Sequence, residues 1–190
     1  MLKRLLLATA ILAAFSAPAF AHLDPTEHGS FLAGVSHPFF GLDHILAMVA
    51  VGLWAAQIGG KALWTVPAAF VGTMALGFGA SLTGLALPFV EPAILASVIG
   101  LGLLVSMAVK VPASVSAAVV AVFALFHGFA HGGELGSAGA LQFGSGFAVA
   151  TAALHAAGIE LGHGISRFAP ALTRVAGAAT ALVGLSLAFG

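Results

Sequence analysis

Residues 37–59 read HPFFGLDHILAMVAVGLWAAQIG, a stretch in which His37, Asp43 and His44 stand at the mouth of an apolar run that continues to Gln57. From 39 to 59 the run is close to the ~20 residues an α-helix needs to cross a hydrocarbon layer. An ionisable side chain in that layer costs ~2.5–3.5 kcal/mol on insertion scales, and it persists where it faces a partner, a cavity or a pathway. One segment therefore sets two expectations. The chain crosses a membrane, and its function resides in the few polar groups placed among apolar ones.

Working outward, further apolar segments fall at 62–87, 92–109, 112–130, 141–164 and 172–189, giving six expected spans. Composition agrees: over 190 residues the chain is 61% hydrophobic and 6% charged, which a soluble domain does not match. Upstream, residues 1–21 combine Lys3 and Arg4, a short apolar run at 5–15 and an Ala19-Phe20-Ala21 cleavage pattern. They read as a secretory signal peptide, the alternative being an uncleaved first span. The expected architecture is an all-α integral membrane protein, a six-helix transmembrane bundle after a cleaved signal peptide, with 22–190 as a single membrane domain. If the mature N-terminus is periplasmic, the inner loops hold Lys61, Lys110, Arg167 and Arg174 and the outer ones Glu91 and Glu134. That division follows the positive-inside rule, so the expected location is the bacterial inner membrane with both mature termini periplasmic.

Several classes are excluded. A net charge of zero offers nothing to nucleic acid. The absence of cysteine removes thiolate metal sites and disulfides, so a metal must be held by imidazole and oxygen. There is no G-x-x-x-x-G-K-[ST] loop for ATP hydrolysis. Gly128, Gly132 and Gly136, and Gly158 with Gly162, have the four-residue spacing that lets helices approach closely, and they read as packing; a homo-oligomer is a separate expectation. Trp54 and Trp64 read as interface anchors, and the phenylalanines as lipid or packing surface.

The eight histidines carry the chemistry. In the first cluster, six residues separate His37 from Asp43, about 240° modulo a turn. Either the chain breaks near Pro38 and Gly41, or His37 serves a different shell from Asp43 and His44. In the second cluster, FHGFAHGGE at 126–134, His131 lies about 40° and Glu134 about 20° from His127 on a continuous helix, one stripe able to chelate a cation. Span direction brings both clusters to the same outer depth. His155, with Glu160 and His163 beyond it, lies on the fifth span as a step inward or as a solvated inner end. Imidazole with carboxylate suits Ni²⁺, Zn²⁺, Co²⁺ or Cu²⁺, and spacing does not choose among them.

The His-x₅-Asp-His pattern of His37, Asp43 and His44, taken with Phe126 to Glu134, resembles the HupE/UreJ family of nickel permeases. Leu154-His155-Ala156-Ala157-Gly158 is similar to the family's later helix, and the resemblance covers essentially the whole mature chain. It implies nickel supply to hydrogenase or urease, with His37, Asp43, His44, His127 and Glu134 as functional residues and His131 and His155 as additions.

The expected function is therefore a permease, not an enzyme, that imports Ni²⁺ (Co²⁺ or Zn²⁺ being possible alternatives) as a transported ion rather than a permanently bound cofactor. Its expected partners are that ion and the lipid bilayer. The rival is an integral membrane metalloenzyme with a His/Asp-bound zinc or iron. Against it stand the lack of an H-E-x-x-H motif and of the paired histidines of desaturases, and the polar residues that continue inward. A metal-binding sensor is a third class, disfavoured because no soluble domain would relay its signal.

Overall fold

The structure, a computed structural model, describes residues 30–135 and 139–190, the side chains of 133–135 excepted. The expected signal peptide at 1–21, together with His22, His28 and Gly136, lies outside the described residues. Among the described residues the chain is wholly helical: α1 Phe31–Ser36, a 3₁₀ turn His37–Phe39, α2 Leu42–Ile58, α3 Ala62–Ser81, α4 Val90–Ser106, α5 Ala113–Leu135, α6 Ala140–Phe168 and α7 Pro170–Phe189.

Each expected span corresponds to a helix, with instructive differences. α3, α5 and α7 are long and apolar enough to cross a membrane, and α1 with α2 supplies a fourth crossing if the bent pair is one span. α4 is apolar but only 17 residues long. α6 runs for 29 residues, and Gln142, His155, Glu160 and His163 interrupt its apolar character. The second expected span, 62–87, stops as a helix at Ser81 because Gly84 takes a φ of 78° and Pro88 follows. Hydropathy alone does not separate an apolar turn from the helix it ends.

The first span is broken. Ser30 caps α1 by accepting from the Ala33 N–H, Pro38 sits in the 3₁₀ turn, and Gly41 starts α2 from extended backbone. The axis turns by 85° between the two halves.

In lipid the hydrophobic effect does little to join helices, so close approach and dispersion must do it. α3 and α5 form the tightest pair, and a Cβ on Gly128 would run into the Met74 carbonyl. The expected packing role of Gly128 and Gly132 is what the helices use. α2 lies at the centre, against α3, α4 and α6. Gly52 of α2 faces the backbone of His155 and Gly158 so closely that neither Gly52 nor Gly158 could carry a side chain.

One expectation is corrected here. Trp64 is 80% exposed, as an interface anchor would be, but Trp54 is 1% exposed and donates from Nε1 to the Val109 carbonyl at 2.8 Å. Gln57 donates to the Val105 carbonyl and Arg174 to the Ser106 carbonyl in the same region, where α4 ends. A tryptophan at the edge of an apolar run reads the same in sequence whether its indole meets headgroups or a helix terminus.

Candidate metal centre

The break before α2 decides the site. Because the chain turns at Phe40-Gly41, His37 is carried off the regular helical path that would have pointed it away from His44, and both imidazoles reach the same ring, His131 on α5. His37 Nε2 lies 3.0 Å from His131 Nδ1, and His44 Nε2 lies 2.6 Å from His131 Nε2. Of the two alternatives the spacing allowed, the broken chain is the one found.

Asp43 fixes the direction of this chain of rings. Its Oδ1 is 3.0 Å from His44 Nδ1, which holds that nitrogen as the N–H and leaves His44 Nε2 as a lone pair. His131 Nε2–H must then donate to His44, so His131 Nδ1 accepts from His37 Nε2–H. Three neutral imidazoles are thereby ordered by one carboxylate, an arrangement of the kind that orients metal-ligating histidines. Gly41 makes the pair possible for a steric reason: a Cβ there would stand 2.7 Å from Asp43 Oδ1 and 2.8 Å from His44 Nδ1.

His127, one turn before His131 on α5, is fully buried and meets the His44 ring edge-on at 5.1 Å. Ser97 of α4 spends its hydroxyl hydrogen on the Ile94 carbonyl at 2.6 Å, so its oxygen accepts from His127 Nε2–H at 2.9 Å. The remaining nitrogen, His127 Nδ1, is a buried lone pair with no hydrogen-bond partner among the described residues.

Phe147 packs against His131 at 4.9 Å and His37 at 5.9 Å between ring centres. Phe70 contacts His127 at 5.6 Å and His155 at 5.0 Å. Both phenylalanines are fully buried.

The structure thus brings together His37, Asp43, His44, His127 and His131. It sets His155 apart, across Phe70 and 1% exposed, with both ring nitrogens unpartnered among the described residues. α5 continues to Leu135, so Glu134 is on the helix its expected stripe requires, and its side chain lies outside the described residues. Glu91 is in the first turn of α4 and exposed.

Sequence reasoning named Gly41 only as one of two places for a break and missed Ser97, Phe70 and Phe147. A lone serine in the middle of an apolar span was a usable signal for Ser97; nothing distinguished the two phenylalanines from the other thirteen.

Chemically, the cluster is rich in nitrogen donors, and its rings bond to one another. Among the described residues no three His, Asp or Glu side chains are disposed around a common point to hold an ion. Two Nε2 atoms 2.6 Å apart share a proton. A metal at ~2.0–2.1 Å from each imidazole nitrogen would draw the lone pairs toward itself and the rings apart.

Comparison with known proteins agrees with the two motifs. The HupE / UreJ protein family matches residues 10–187. The chain is 50% identical over 187 residues to Protein HupE of Rhizobium leguminosarum bv. viciae, covering 96% of this chain and 97% of that protein. No solved structure matches. With the family match spanning nearly the entire sequence and half of all residues shared with that relative, the chain belongs to the HupE/UreJ family.

Proposed function

We propose that this protein is an inner-membrane permease that carries Ni²⁺ from periplasm to cytoplasm for the maturation of hydrogenase or urease. It crosses the bilayer six times, with both mature termini periplasmic. The family resemblance supports nickel as the cargo, among the Co²⁺ and Zn²⁺ that the same ligands would accept.

The observation that carries this reading is the ordered chain Asp43–His44–His131–His37, with the bare Nδ1 of His127 beside it. Residues from α2, α5 and the 3₁₀ turn are gathered at one end of a bundle whose other polar groups are few. An arriving cation exchanges some of its waters for imidazole nitrogens and for the carboxylates of Asp43 and Glu134. It enters between His44 and His131, where the hydrogen bond opens as the His131 proton passes from Nε2 to Nδ1 and leaves both Nε2 atoms as lone pairs, and moves inward past Phe70 toward His155. Ligands must be unprotonated to bind, so capture weakens in acid. The ion is cargo, and the site binds it without a permanent cofactor.

Uptake of ⁶³Ni²⁺ into nickel-starved cells tests this at matched membrane expression. The intact chain raises uptake above vector background, and His44→Ala and Glu134→Ala each return it to background. If the intact chain moves no nickel while the purified protein keeps a tightly bound metal, the membrane metalloenzyme takes the place of the permease.

A further inference from the structure

Among the ring contacts of the described residues, Phe147 alone meets His37, His44 and His131 together, at 5.9, 6.3 and 4.9 Å between ring centres. It stands on α6, 1% exposed, with Phe143 stacked almost parallel to it at 6.1 Å. The same side chain also borders open space. Between α3 and α6, toward the Ala140 end from the contact of Thr151 with Met74, lies a cleft of about 560 Å³. Met74, Ala75 and Phe78 line it from α3, and Gly144, Phe147 and Ala148 from α6. Ala75, Gly144 and Ala148 keep it open, since none carries more than a methyl group. The walls are apolar, and Ser145 spends its hydroxyl on the Gln142 carbonyl, so the cleft suits a hydrocarbon group and not an ion.

Loading the histidine row requires room. His44 Nε2 and His131 Nε2 stand 2.6 Å apart, bonded to each other. Ligation at ~2.0–2.1 Å per nitrogen sets two imidazole nitrogens ~2.9 Å apart at a right angle and ~3.3 Å apart at a tetrahedral one. The rings must therefore part and pivot, in a packed interior where the size of a single methylene is felt. The backbones that carry them have little to give. α5 is held to α3 where a Cβ on Gly128 or Gly132 would run into the Met74 or Phe78 carbonyl. α2 is held to α6 in the same manner at Gly52 and Gly158, and α1 to α6 at Gly34 and Gly146. Contacts between small residues put no compliant side chain between the helices. Phe147, common neighbour of all three rings and wall of the cleft, is the element with space to yield.

We propose that Phe147 is a positioning residue that acts through the three imidazoles: its ring keeps them within reach of one another while the site is empty, and moves into the α3–α6 cleft on capture. The cleft thus sets how far the rings can part. This rests on capture of the cation by these histidines and adds to it the element that gives way.

The test is to fill the cleft without touching a histidine. Purified full-length chain in lipid nanodiscs is titrated calorimetrically with Ni²⁺. Ala148→Leu weakens binding about tenfold, the scale of overpacking by a few carbons, and Ala75→Leu does the same from the α3 wall. Val149→Phe, at the next position on α6 and outside the cleft, changes affinity less than about twofold, and thermal unfolding confirms that each variant is folded. Shortening the ring relieves the crowding, so Ala148→Leu/Phe147→Leu returns to within about threefold of the parent, a coupling of the kind neighbouring residues show. Parental affinity in both cleft-filling variants overturns the proposal, as does a loss that Phe147→Leu fails to rescue. Absence of any Ni²⁺ binding by the parent chain removes capture itself and this inference with it, whereas binding indifferent to the cleft removes this inference alone.

Discussion

Two levels of this bundle, one near its end and one near its middle, treat histidine in opposite ways. At one end His37, His44 and His131 bond to each other in a row set by Asp43. Across Phe70, His155 stands apart, with neither nitrogen hydrogen-bonded among the described residues. Both arrangements are buried in an apolar bundle, so burial does not distinguish them. What differs is partnership: hydrogen bonds set the tautomer of each ring at the crowded end, while the solitary ring has no such partner among the described residues. The contrast teaches that in a short chain with few polar residues the same side chain can be placed in a hydrogen-bonded row or left by itself.

The comparison breaks most severely at His131, the only ring that contacts both His37 and His44 among the hydrogen bonds described. His131→Ala should abolish nickel uptake, whereas His155→Gln should slow it several-fold at matched expression. Equal losses from the two would erase the distinction between the two levels. Next in size is Asp43→Asn. It keeps the shape but weakens the hold on His44 Nδ1–H, and loss of such an orienting partner lowers metal affinity by ~10–100-fold. Isothermal titration of the purified variant with Ni²⁺ measures this, and unchanged affinity would show that the carboxylate does not order the rings.

Acid should weaken the crowded end in a graded way. Protonated nitrogen cannot ligate, so uptake falls as the pH is lowered. A flat profile from pH 7.5 to 5 would count against capture by several imidazoles. The smallest expected effect is that of Ser97→Ala, which leaves His127 Nε2–H without its acceptor and lowers stability by ~1–3 kcal/mol. Thermal unfolding in detergent reads this loss, and uptake per folded molecule should fall less than twofold.

Much of the fold was legible because lipid imposes a simple grammar. Apolar length marked a helix for each expected span, and Gly128 and Gly132 marked the α3–α5 seam. Both halves of the histidine cluster were legible too, since ionisable residues in apolar runs are conspicuous. What sequence periodicity could not supply was the turn at Gly41, on which the meeting of His37 with His131 depends. The 240° between His37 and Asp43 assumed one regular helix, and only tertiary packing of α1 on α6 decides that the chain bends there. Ser97 and Phe70 escaped for a related reason: a serine and a phenylalanine gain their roles from the ring they touch, and contact between distant helices leaves no local pattern. Trp54 was misread because a helix terminus and a membrane interface ask the same of an indole, an apolar body with one donor.

The central claim, that the cation sits among the gathered imidazoles, is tested most directly by X-ray absorption at the nickel edge on purified full-length protein loaded with one equivalent of Ni²⁺. The account predicts a nitrogen and oxygen first shell with outer-shell scattering from at least two imidazole rings, diminished in His131→Ala. A spectrum like that of the hexaaqua ion, identical in both proteins, would contradict it.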